Sequence, residues 1–145
     1  MKIVADDKIP FLRGVFEKYG IDVIYKKGAD ITRSDLIDAD GLIVRTRTLC
    51  NYELLHDSAV KVVCSATIGT DHVNIKEVES LGIKFFSAPG CNAGSVEQYV
   101  VCALLHLAEK YNFDLAGKTI GIIGVGHVGS KVQNACRTMG MNVLL

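Results

Sequence analysis

Gly124, Gly126 and Gly129 sit in the stretch TIGIIGVGHVG at the G-x-G-x-x-G spacing of a loop that cradles a dinucleotide. Each glycine has a separate task in such a loop. Gly124 makes the tight turn, Gly126 lets a pyrophosphate reach the backbone, and Gly129 lets the following helix pack on the strand. The spacing alone is a weak signal; its context is what counts. Here an apolar run, KTIGII, precedes it, and Val128, Val132, Ala135 and Met139 follow on one side of a helical pattern. An acidic residue about twenty positions further on would hold the adenosine ribose. No Asp or Glu follows Asp114 in this sequence, and the second strand of the unit only starts at Asn142.

Ligands of an open parallel sheet gather outside the carboxyl ends of its strands, so the loops after strands carry the other candidates. Arg45, Thr46, Arg47 and Thr48 leave one strand end together. Two guanidinium groups and two hydroxyls suit a bidentate grip on carboxylate or phosphate, beyond what a solvated loop needs. The run Ser65-Ala66-Thr67-Ile68-Gly69-Thr70-Asp71 would let backbone N–H groups approach a ligand, or would serve as a plain turn and helix cap. The run Ala88-Pro89-Gly90-Cys91-Asn92-Ala93-Gly94 either offers a helix N-terminus to an anion or is a flexible connection.

Several functions find no support. Acidic and basic side chains cancel at 16 each, which gives no argument for nucleic acid or a charged membrane as partner. There is no G-x-S-x-G, P-loop or H-E-x-x-H. Five cysteines without a C-x-x-C pair fit neither a disulfide framework nor a zinc site, and no metal is expected. Cys64 and Cys102 lie in apolar runs and read as inert core; Cys91 is the one thiol exposed enough to consider as a nucleophile. His56, His72 and His106 have no partners at metal or triad spacing, and His106 reads as a core or interface histidine. Reduced thiols and a charged start, MKIVADDKIP, give a cytoplasmic expectation.

The elements that must position these loops alternate strictly. Strands are expected at 2–5, 22–25, 41–44, 60–64, 83–86, 119–123 and 142–145, several of them continuous apolar runs covered on both faces. Helices are expected at 9–19, 33–38, 52–57, 75–81, 95–111 and 128–139. Gly20, Gly82 and Gly140 stand where left-handed helix caps belong. Ser95 and Gln98 have the spacing of a capping box, and YVVCALLHLA is apolar almost all round, which predicts a helix buried on most sides. This alternation argues an α/β fold with a doubly wound parallel sheet and right-handed crossovers.

Four such loops on two successive α/β units resemble one family, the D-2-hydroxyacid dehydrogenases. The strings DADGLIVRTRT, ATIGTDHV, SAPGCNAGSVEQYV and GIIGVGHVGSKV carry the resemblance, in order and at family spacing. It implies a flavodoxin-like parallel-sheet substrate domain at 1–94, an interdomain helix at 95–111 and the beginning of a Rossmann NAD-binding domain at 119–145. It implies that Thr46 and Thr67 contact a small phosphorylated hydroxy acid, which Arg45 and Arg47 help to hold. Gly124, Gly126, His127, Val128 and Gly129 would bind the NAD pyrophosphate. The family's catalytic Arg and its Glu-paired His match nothing here, since in the family pattern they lie beyond residue 145. The chain is therefore expected to be a portion of a longer, homodimeric enzyme, without turnover of its own. A sibling dehydrogenase for glycerate, lactate or phosphoglycerate, and a non-catalytic NAD-sensing module, are the alternatives.

Overall fold

Four short runs containing Val or Ile and a fifth, Lys-Phe-Phe, form one parallel sheet in the computed structural model, which describes residues 1–145. They are β1 (Lys2–Asp6), β2 (Asp22–Lys26), β3 (Gly41–Val44), β4 (Val62–Ser65) and β5 (Lys84–Phe86), in the order β2-β1-β3-β4-β5. That is the flavodoxin-like order, with its switch point between β1 and β3. The register aligns Val4 with Leu42 and Leu42 with Val63, and all three are fully buried. Leu36, Leu55, Val78 and Ile83 close over that row. Burial of each such side chain contributes about 1.5–3 kcal/mol. Two short helices belong to this unit. Asn51 caps α1 (Tyr52–Leu55) by accepting from Leu54 N, and Asn74 caps α2 (Ile75–Ser80) by accepting from Glu77 N.

Two of the expected helices are not α-helices. Residues 9–19 are turns ending in a 3-10 turn at Glu17–Tyr19. Pro10 biases the residue before it away from helical backbone, and Phe11 and Gly14 both take positive φ, at 60° and 82°. The apolar spacing of Phe11, Val15 and Tyr19 that suggests a helix covers nothing, for all three are exposed. Residues 33–38 hold only a 3-10 turn at Arg33–Asp35, closed by a reciprocal capping box between Thr32 and Asp35. Gly20, Gly82 and Gly140 take left-handed backbone, with φ of 73°, 75° and 76°.

The chain separates into two compact units, Met1–Ala88 and Pro89–Leu145. The second contains α3 (Ala93–Tyr111), β6 (Thr119–Gly121), α4 (His127–Thr138) and β7 (Asn142–Leu144). β6 and β7 pair in parallel, Ile120 opposite Val143. α3 and α4 pack through Val100, Leu104, Ala108, Val132 and Cys136 onto Ile120, Ile122 and Val143. This covers one face of the two-stranded sheet. Thr119, Gly121, Asn142 and Leu144 on its other face are exposed, so these strands are not covered on both sides.

α3 differs from expectation in three ways. It starts at Ala93, with Asn92 as N-cap, so Ser95 stands inside the first turn and the Ser95–Gln98 capping box is not formed. Ala93 alone among its residues is buried. Tyr99, Leu105, Cys102 and His106 are exposed, which removes Cys102 and His106 from any core. The apolar circumference has cover along one stripe only.

Candidate functional site

The β1/β3 switch point opens into a cavity of about 360 Å³ lined by Asp6, Asp7, Lys8, Lys27, Arg45, Thr46 and Arg47, among others. Its floor ties three strand ends together. Asp6 is 2% exposed, and its Oδ1 accepts from Lys8 N at 2.8 Å. Thr48 Oγ1 donates to Gly28 O at 2.9 Å. Gly28 is needed there, because a Cβ would lie 2.5 Å from Asp6 Oδ2 and 3.0 Å from Thr48 Oγ1. Above this floor Arg45 Nη1 donates to Lys8 O at 3.2 Å, spanning from the β3 end to the β1 loop. Four cationic side chains against two carboxylates favour an anion in the cavity.

A second cavity of about 400 Å³ is lined by Thr46, Arg47, Leu49, Gly69, Asp71 and His72. Thr46 and Arg47 line both cavities and Arg45 lines the first, so the three residues form one cationic corner at the end of β3. Thr67 lies two residues beyond β4, half-buried, and does not line either cavity. It joins the second one through a chain of polar groups. Ser65 Oγ is 3.0 Å from Thr67 Oγ1 and 3.2 Å from His72 Nε2, and Thr67 N donates to Ser65 Oγ at 3.4 Å. Burial pushes the His72 pKa below its usual value, with the Asp71 carboxylate opposing, so the imidazole is neutral at neutral pH.

His72 is thus a partnered histidine that sequence spacing did not reveal. Lys8 and Lys27 were also missed, although the strand-end rule that singled out Arg45 applies equally to ADDK after β1 and YKKG after β2. His56 has partners too. Its Nε2 is 2.5 Å from Arg33 Nη1, and its ring stacks on Tyr52 with centroids 5.0 Å apart. That cluster ties surface turns together. No group of three or more His, Cys, Asp or Glu side chains converges to hold a metal, and no helix is long and apolar enough to cross a membrane. Of the thiols, Cys50 is pushed up to about 12 by burial, and burial raises Cys64 and Cys136; Cys91 is exposed.

In the second unit the three glycines of the loop between β6 and α4 differ in what their backbone requires. Gly124 takes φ +89° for the turn out of β6. A Cβ on Gly126 would meet nothing within 4 Å, so the fold does not require glycine there; the empty space is available to a ligand. A Cβ on Gly129 would collide with the carbonyl of Gly124. Ser130 N and Oγ both donate to Gly126 O, at 3.0 and 2.8 Å, which holds the loop carbonyl back against α4. The first N–H groups of α4, at His127, Val128 and Gly129, have no partners within the helix and could hold a diphosphate. The His127 ring packs on the 89–92 turn: a Cβ on Gly90 would lie 2.8 Å from His127 Cγ.

With this geometry in view, residues 2–144 match the model of the D-isomer specific 2-hydroxyacid dehydrogenase, catalytic domain. The chain belongs to that family. It is 49% identical over all 145 residues to erythronate-4-phosphate dehydrogenase of Bacteroides thetaiotaomicron, and covers 42% of that protein. It is 44% identical, again over its whole length, to the enzyme of the same name from Yersinia pestis strain Pestoides F, covering 38% of it. The chain therefore spans well under half the length of these relatives. Among solved structures, NAD+-bound 3-phosphoglycerate dehydrogenase of Entamoeba histolytica superposes with a TM-score of 0.75 at 28% identity, over 99% of this chain and 52% of that one. D-lactate dehydrogenase of Aquifex aeolicus, complexed with NAD and lactic acid, gives a TM-score of 0.75 at 21% identity, over 99% of this chain and 50% of that one, and supports the fold.

Proposed function

We propose that this family member binds 4-phospho-D-erythronate and NAD for oxidation of the C2 hydroxyl to the 2-oxo acid, a step of pyridoxal phosphate biosynthesis. The observation that carries the reading is the cationic corner at the switch point. Arg45 and Arg47 offer guanidinium forks to an anionic end group, with Thr46 beside them, and the whole-chain relatives at 44–49% identity bear the name erythronate-4-phosphate dehydrogenase. An unphosphorylated acid such as lactate or glycerate would leave most of that cationic surface unpaired. NAD, when bound, accepts the hydride from C2. Gly124, Gly126, His127, Val128 and Gly129 are the residues proposed to hold its diphosphate, and the open side of Gly126 leaves room for it. Thr67 is the second proposed substrate contact.

The Arg and the Glu-paired His that the resemblance assigns to proton transfer have no counterpart among these 145 residues. The chain is proposed to bind substrate and cofactor without turning over. A cytoplasmic homodimer is proposed for the whole enzyme.

Calorimetric titration of the chain with NAD and a panel of acids tests this. The expected order is 4-phospho-D-erythronate tightest, then 3-phospho-D-glycerate, with D-glycerate and D-lactate at least tenfold weaker. Arg47→Leu should weaken the phosphorylated acids and leave the unphosphorylated ones unchanged. An unphosphorylated acid that binds as tightly as 4-phospho-D-erythronate would overturn the substrate assignment in favour of a sibling dehydrogenase.

A further inference from the structure

Thr67 is two residues from the buried Ser65, and its hydroxyl can give its hydrogen either inward to Ser65 or outward. We infer that His72 fixes this choice: its neutral imidazole carries the proton on Nε2, donates to Ser65 Oγ, and so leaves the Thr67 hydroxyl free to donate to an anionic ligand oxygen. The inference rests on the reading of Thr67 as a substrate contact and makes His72 and Ser65 positioning residues.

The argument is a count of lone pairs. A serine hydroxyl has one hydrogen to give and two acceptor sites. One site on Ser65 Oγ takes the Thr67 N–H at 3.4 Å. If His72 Nε2 is a donor, at 3.2 Å, it fills the other. Ser65 then has no site left for the Thr67 hydroxyl hydrogen. Its own hydrogen goes to Thr67 Oγ1 at 3.0 Å or to Thr67 O at 3.2 Å. The Thr67 hydrogen must point away, where a carboxylate or phosphate oxygen, which only accepts, can use it.

In the opposite tautomer the chain reverses. Ser65 donates to a bare Nε2 and accepts from Thr67 Oγ1–H, and the Thr67 hydrogen is consumed inside the protein. Thr67 could then only accept, and would repel an anionic ligand oxygen. His72 is 7% exposed, and a Ser65 hydroxyl that donates to Thr67 O at 3.2 Å has no hydrogen left for Nε2, which is then the donor of that contact. Hydrogen bonds to charged groups contribute more than neutral ones, so the direction of this one hydroxyl has a measurable effect on binding.

Long-range 1H–15N correlation spectra of the 15N-labelled chain read the His72 tautomer directly. The expected result is a protonated Nε2 and a bare Nδ1, before any ligand is added. A proton on Nδ1 would overturn the inference whatever the chain binds. Titration with 4-phospho-D-erythronate gives the second readout. Ser65→Ala should weaken binding about tenfold, His72→Phe similarly, and His72→Gln, which can place a donor amide near the same point, should recover most of it. Equal affinity of Ser65→Ala and wild type would also overturn the inference. If wild type shows the Nε2–H tautomer but does not bind 4-phospho-D-erythronate, the proposed substrate fails while the relay direction stands.

Discussion

Gly129 stands against the carbonyl of Gly124, so that a Cβ on Gly129 would collide with that oxygen and lie 3.0 Å from its carbon. Five residues apart in sequence, the two mark the point where the loop out of β6 folds back on the first turn of α4. Gly126 between them has no such neighbour. Substitution should therefore separate folding from binding. Gly129→Ala is expected to destabilise the chain by about 1–3 kcal/mol through overpacking against backbone. Gly126→Ala should melt like wild type yet bind NAD at least tenfold more weakly, because its methyl group fills the space left for the diphosphate. Thermal melts paired with NAD titration check this, and a Gly126→Ala chain that binds NAD normally would remove the loop from the cofactor site.

The first cavity depends in the same way on Gly28. Its missing Cβ is the gap that Asp6 Oδ2 occupies, and its carbonyl takes the Thr48 hydroxyl. Gly28→Ala should push the Asp6 carboxylate off its place at the end of β1, lower stability in urea by about 1–3 kcal/mol, and weaken phosphorylated-acid binding with it. Thr48→Val should cost about 1 kcal/mol, since it leaves the Gly28 carbonyl without its buried donor. If Gly28→Ala keeps wild-type stability, Asp6 and Gly28 are not in the close approach described.

Much of this was legible in the sequence, for physical reasons. β1, β3 and β4 are buried apolar runs, and such runs can be little else in an alternating α/β chain. Arg45, Thr46 and Arg47 were singled out because the carboxyl end of a parallel strand is a place and two arginines there are a chemistry, and the three do line a cavity at that end. Gly124, Gly126 and Gly129 were singled out by their spacing, and the structure shows the positive φ at Gly124 and the close approach at Gly129 that the spacing predicts. Other features depend on neighbours that periodicity cannot show. Phe11, Val15 and Tyr19 keep helical spacing, yet Pro10 and Gly14 make the helix too costly. The apolar circumference of α3 does not say which stripe is covered. The Ser65–His72 contact crosses a turn between residues seven apart, and no periodic pattern reports such a pair.

His72 also predicts a pH response. Its folded-state pKa lies below the ordinary value of 6.5 because of burial. An unfolded chain binds the proton first as the solution acidifies, so stability is fully present above about pH 6.5 and declines from there down through the lowered pKa. Asp35 acts lower on the scale. Burial would raise its pKa, but hydrogen bonds from Lys26 and Thr32 outweigh this and hold it below 3.8. Its stabilising contribution is present above the ordinary carboxylate value and is lost as pH falls below it. Urea unfolding as a function of pH should show two acid limbs. His72→Gln should remove the upper limb, and Lys26→Met should shrink the lower one. A single limb unchanged by His72→Gln would show that the imidazole is not desolvated.

The thiols give the most direct check on α3. Cys50 and Cys136 are fully buried, and burial raises both pKa values, Cys50 to about 12. Thiolate is the reactive form, so neither should react with a disulfide reagent before unfolding. Cys91 and Cys102 are exposed and should react within the first phase. Cys64, half-buried with its pKa raised, should follow slowly. The expected outcome is two fast thiols, one slow and two that await denaturant, with mass spectrometry assigning each. Cys102 is the telling one. On an α3 buried on most sides it would join the protected set, and the open face of that helix would then have to be covered in solution by something that these 145 residues do not supply.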